Sequence, residues 1–136
     1  PWDSPHNLPL SRTMPVIYIH PSNAYLAGEG KTLYQIPHGE GTLYEDIEGP
    51  TDADFNRAPS GRAGTVLFVE ASPGNAVVWT KPDDVSIDVG SVRFQLNYDR
   101  TGTNLLFADQ HIEPVQIHSE SDDRIRSMFF PRAKRD

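Results

Sequence analysis

The chain has 136 residues, no cysteine and a formal net charge of −7, a length that suits one domain around a single modest core. The lack of cysteine excludes disulfides, thiolate metal sites and thiol nucleophiles, and an acidic surface repels phosphate backbones, so nucleic acid is not an expected partner. Hydrophobic residues make up 37% of the sequence, and no apolar run approaches the roughly 20 residues that cross a bilayer.

Residues 1–15 carry four prolines and little periodicity. They read as an extended segment with a helical turn near residues 7–12. Residues 16–19 are β-branched and aromatic and stop at Pro21, which predicts a strand. Residues 27–64 are rich in Gly, Pro and acidic side chains, a long excursion with short strands expected near 32–36 and 42–44. The clearest strand is 65–71, closed by the turn Ser72-Pro73-Gly74-Asn75, with 76–79 expected as its hairpin partner. In that hairpin Val66, Phe68, Val77 and Trp79 are expected to be buried. An acidic loop follows at 83–88, and then 91–96 alternates as a strand with Val92, Phe94 and Leu96 on one face. After turn chemistry at 97–103, a second hairpin is predicted from 104–108 and 111–117, joined by Asp109-Gln110.

One helix is signalled at the C-terminal end. Ser119 is a good N-cap with Asp122 three residues on, and Ile125, Met128 and Phe129 recur at helical spacing before Pro131. The basic residues beyond it, Arg132, Lys134 and Arg135, read as a solvated tail. The fold class is therefore α+β: a single domain over residues 1–136, built on an antiparallel sheet of hairpins with long loops and a C-terminal helix.

Three blocks carry a resemblance. They are Trp2-Asp3-Ser4-Pro5-His6-Asn7 with Met14-Pro15 and Tyr18; residues 65–70 with Trp79-Thr80-Lys81-Pro82-Asp83-Asp84; and Asn104-Leu105-Leu106-Phe107-Ala108-Asp109 with the strand and helix after it. In this order they resemble the planctomycetal family of prepilin-type, pseudopilin-like proteins of unknown function. The resemblance implies the C-terminal portion of such a protein, a head lacking the N-terminal helix, and so a fragment of a longer chain. It also implies an extracytoplasmic location at the periplasm or cell surface, a membrane tether only through the missing helix, and protein partners or self-assembly. The family pattern places His-x-Gly-Gly before the last strand and Gly after its Asp; this chain has Tyr98-Asp99-Arg100-Thr101-Gly102-Thr103 and Gln110 there.

Candidate chemistry is sparse. Asp83, Asp84 and Asp88 are close enough in sequence to offer a calcium ion oxygen ligands, although the spacing is not that of an EF-hand. The bland reading of this cluster is a solvated acidic turn. His6, His20, His38, His111 and His118 show no zinc spacing. Glu70 and Glu113 could act as a glycosidase pair if facing strands brought them together. Trp2 and Trp79 could stack on sugars, or simply pack. A non-catalytic head with no required cofactor is therefore expected. The alternatives are a carbohydrate- or calcium-binding module and a carboxylate-dependent hydrolase. If the resemblance holds, an apolar patch should surround Trp2, Leu8, Leu10 and Val16.

Overall fold

The structure, a computed structural model, describes residues 1–46 and 48–132. An N-terminal strap of 3-10 turns (Leu8–Arg12, Val16–Tyr18 and Pro21–Glu29) leads into three short strands, β1 Lys31–Thr32, β2 Tyr34–Gln35 and β3 Pro37–His38. Helix α1 (Asp52–Arg57) precedes strand β4 (Val66–Glu70), and β5 (Val77–Val78) and β6 (Val85–Ser86) follow. Helix α2 (Val92–Gln95), the hairpin β7 (Thr103–Phe107) and β8 (Ile112–Val115), and helix α3 (Asp122–Phe129) complete the chain. The fold is α+β. Among the described residues, no helix is long and apolar enough to cross a membrane. Lys134 and Arg135 of the expected basic tail lie outside the described residues.

The central sheet has the order β2-β4-β7-β8 and is antiparallel throughout. One face packs on the core, where Val66, Val69, Leu105, Phe107 and Val115 meet Ile117 and the α3 stripe of Ile125, Met128 and Phe129. The alternation of β4 is broken by a register shift between Val66 and Phe68. A bulge of this kind adds one residue and flips those after it. Val69 therefore turns inward, while Phe68 is 36% exposed on the outer face. Of the four side chains expected to be buried in the first hairpin, only Val66 is so; Val77 and Trp79 are half-buried. The free edge of β8 is blunted by Pro114, since Phe107 donates to His111 and the 104/114 pair consequently points its backbone groups away from β7.

Several strand expectations change in three dimensions. Residues 16–19 form a 3-10 turn because Pro15 and Pro21 box them in, and Ile19 N–H returns to the Val16 carbonyl. Residues 42–44 form a turn in which Thr42 donates back to Gly39. The partner of β5 is β1, not β4, because both sides of β4 are already taken by β2 and β7. Within the strand expected at 91–96, residues 92–95 are helical, and Leu96 is extended and bridges to Ala71. Asp88 accepts the N–H groups of Gly90 and Ser91, which starts a turn that alternation cannot reveal. Val92 and Leu96 are then both buried one helical turn apart, and Phe94 swings out to 76% exposure.

The second hairpin and the terminal helix match their sequence signals more closely. Ser121 rather than Ser119 caps α3, accepting from Arg124 N–H at 3.2 Å, while Ser119 ends a preceding 3-10 turn. In the β7–β8 turn, Gln110 has φ of 75°, a left-handed conformation that costs a side chain with a Cβ. This is the position where the family pattern has Gly. Gln110→Gly is expected to raise stability by about 0.5–1 kcal/mol, net of the added freedom of the unfolded chain. Urea unfolding measures it; a less stable variant would show that the turn holds no recoverable strain.

The strap is pinned at Gly30, which has φ of 64° and whose absent Cβ would sit 2.2 Å from the Ser11 carbonyl oxygen. That same carbonyl accepts the Trp79 indole N–H at 2.8 Å, and Trp79 N–H donates to the Gly30 carbonyl. Only a glycine allows this three-way approach. Tyr18 stacks on Trp79 at 5.5 Å, so the indole serves as the peg of the strap.

Candidate functional site

Asp83, Asp84 and Asp88 are engaged separately. The Lys81 ammonium donates to Asp83 at 2.5 Å and holds its carboxyl below the ordinary range. Asp84 accepts the Ile36 N–H at 2.7 Å, and its carboxyl is pushed up, chiefly by burial. Asp88 is committed to the turn before α2, where the Ser91 N–H lowers it. Among the described residues, no group of three or more His, Cys, Asp or Glu side chains is placed to hold a metal ion. The structure does not bring the three carboxylates together as one calcium site. Each is already used, Asp83 by Lys81, Asp84 by the distant Ile36 N–H and Asp88 by its own turn, and β6 lies between Asp84 and Asp88.

Asp83 and Asp84 do line a cleft of about 490 Å³ with Ile36, His38, Tyr44 and Glu45. Burial, and then the Asp84 carboxylate, raise the Tyr44 phenol, so that hydroxyl stays protonated. The cleft can offer hydrogen-bond donors and acceptors.

The proposed carboxylate pair is also separated. Glu113 pairs with Leu105, whose side chain is in the core, while Glu70 lies beside Asn104, the next residue along β7. Successive strand residues face opposite sides, so Glu70 and Glu113 cannot flank one substrate. His111 stacks flat on Phe107 and contacts Asp109, whereas His118 sits edge-on to Tyr98 in the turn before α3. Trp79 is spent on the strap, and Trp2 is half-buried.

Sequence reasoning missed an enclosed polar cluster. His20, 8% exposed, lies with Nε2 3.4 Å from Glu70 and 3.4 Å from the Asn97 amide, and its Nδ1 is buried without a hydrogen-bond partner among the described residues. Asn104 donates to both Glu70 oxygens at 3.2 Å. Tyr34 stands opposite Glu70 across β2 and β4, and burial followed by that carboxylate raises its phenol. The contributors are 7 to 84 residues apart in sequence, so no spacing motif could have grouped them.

The residues expected in an apolar patch at the N-terminal strap are exposed with one exception. Val16 is 77% and Ile17 74% exposed, and Leu8, Leu10 and Tyr25 are exposed with them, whereas Trp2 is not part of the exposed set. Compared with known proteins, the chain matches no family model, no curated protein and no solved structure.

Proposed function

We propose that the chain is a non-catalytic head domain that assembles with further copies of itself, in the manner its resemblance to pseudopilin-like proteins implies. In the full-length protein this head would stand outside the cytoplasmic membrane, tethered through a segment that is not part of this sequence. The observation carrying the proposal is the exposed set Leu8, Leu10, Val16, Ile17 and Tyr25 on one strap. Single exposed apolar residues are ordinary, but a concentration of them along one pinned segment supports the reading of a contact surface. The strap is fixed by Gly30, Ser11 and Trp79, so it presents these side chains without a large ordering cost on association.

Sedimentation equilibrium tests the reading. The wild-type chain is expected to show concentration-dependent self-association, which Val16→Asp together with Ile17→Asp abolishes. Because both side chains are mostly outside the core, the double variant should keep its folding stability to within about 0.5–1 kcal/mol. A wild-type chain that stays monomeric at millimolar concentration would defeat the proposal.

A further inference from the structure

Strand β2 is one edge of the central sheet, and its two residues face opposite sides. Tyr34 lies opposite Glu70, whereas Gln35 lies opposite the core residue Val69 and is only 1% exposed. An apolar side chain is the ordinary occupant of such a position. Gln35 Nε2 donates to the Asn75 carbonyl at 2.7 Å, and its Oε1 is buried with no hydrogen-bond partner among the described residues. The network fixes that assignment, because turning the amide over would set two carbonyl oxygens against each other. A buried acceptor left unmatched is costly, and Gln35 stands in the wall of a cleft.

The cleft has a volume of about 320 Å³, at the low end of the roughly 300–1,000 Å³ of small-molecule sites. Its wall mixes acceptors and donors. Asn75 Nδ2 donates to Gln95 Oε1, so the Gln95 amide keeps its NH2 group for another acceptor. The exposed Ser86 hydroxyl can play both roles. Asp84 takes the Ile36 N–H on Oδ1 and retains Oδ2, while Lys81 offsets the charge of Asp83. We infer that this cleft binds a small neutral polyhydroxy compound of the monosaccharide class. One hydroxyl donates to Gln35 Oε1, others donate to Asp84 and accept from Gln95, and the carbon face lies on Ala76 and Val77. Hydroxyls match such a wall because each both donates and accepts. An ammonium has no acceptor to offer Gln95, and an anion is repelled by Asp83 and Asp84. None of the exposed strap residues lines the cleft, so the site does not depend on self-assembly.

The methyl α-glycosides of glucose, galactose and mannose are suitable probes. Cyclohexanol, cyclohexylammonium and glucuronate serve as single-hydroxyl, cationic and anionic controls. In a ¹H–¹⁵N NMR titration of the full chain, at least one glycoside should saturate with a Kd of about 1–10 mM, as fragment-sized ligands do. It should shift the Gln35 side-chain NH2 and the amides of Ala76, Val77, Ser86 and Gln95. Cyclohexanol and cyclohexylammonium should bind at least about tenfold more weakly, and glucuronate not measurably. Gln35→Leu, if folded by its dispersed spectrum, should abolish glycoside binding. Ser86→Ala, at an exposed position, should keep the fold and weaken binding by about threefold to tenfold. Val16→Asp with Ile17→Asp should leave binding unchanged, which separates this site from the strap surface. Three results would overturn the inference: no glycoside saturating, cyclohexylammonium binding as tightly as the best glycoside, or shifts confined to other surfaces.

Discussion

Phe129→Ala is expected to lower folding stability by about 3–5 kcal/mol, the usual cost of truncating a fully buried aromatic ring. The ring is 2% exposed and belongs to the cluster that joins α3 to β4 and β7 through Val66, Leu105 and Phe107. Its neighbours on the same stripe, Ile125 and Met128, are wholly buried, so little of the cavity can be filled from the helix itself. For a domain of this size the loss should appear as a melting temperature lower by on the order of 10–20 °C. Phe129→Leu keeps most of the volume and should cost roughly half as much or less. A melting temperature unchanged in the alanine variant would mean that α3 does not close the core.

Arg132→Ala should also be damaging, by about 1.5–3 kcal/mol, because it leaves the half-buried Asp54 carboxylate without its charged hydrogen-bond partner. The guanidinium makes a two-pronged contact with Asp54, Nε to Oδ1 at 3.1 Å and Nη2 to Oδ2 at 2.9 Å. It also reaches Asp46 at 3.1 Å and the Gly49 carbonyl at 3.2 Å. Asp54 in turn accepts the N–H and hydroxyl of Thr51 at the start of α1. One arginine thus fastens the long excursion before β4 to the end of the chain, so it is no part of a solvated tail. Arg132→Lys should restore only a fraction, since an ammonium cannot reproduce the planar fork.

The same contact predicts a pH dependence. The hydrogen bond from Arg132 is the largest of the causes that hold the Asp54 carboxyl well below its ordinary range. A carboxyl depressed in the folded state stabilises the fold fully above its unfolded value near 4, and that contribution disappears as pH falls through the folded value. Wild-type stability should therefore decline from about pH 4–5 downward, and the gap between wild type and Arg132→Ala should narrow over the same window. Urea unfolding at pH 7 and pH 3 measures both; a gap that stays constant would remove Asp54 as the partner that matters.

Some elements were legible because local chemistry decides them. The strand expected at 104–108 is observed at Thr103–Phe107 and, like the helical stripe of Ile125, Met128 and Phe129, buries one face, and the exposed turn at Asp109-Gln110 falls where the sequence places it. The class of fold was readable for the same reason. The strand expected at 91–96 was not, because Val92, Phe94 and Leu96 fit a period of two as well as a helical pair with an exposed residue between them. The side chain of Asp88 broke that tie.

Pairing and convergence lay beyond any local signal. Residues 76–79 were assigned to β4 by nearness in sequence, yet β4 found partners in β2 and β7, and β5 turned to β1. The bulge after Val66 then moved Phe68 to the outer face beside Leu106. Glu70 and His20 were each visible as residues, but their meeting depends on where the strap crosses the sheet, which Gly30 and Trp79 decide together. The sequence by itself determined which segments would be helical, extended or turned wherever one periodicity had no rival. Register, strand order and the gathering of His20, Tyr34, Glu70 and Asn104 were decided only by tertiary structure, because burial selects among partners that local propensity leaves equal.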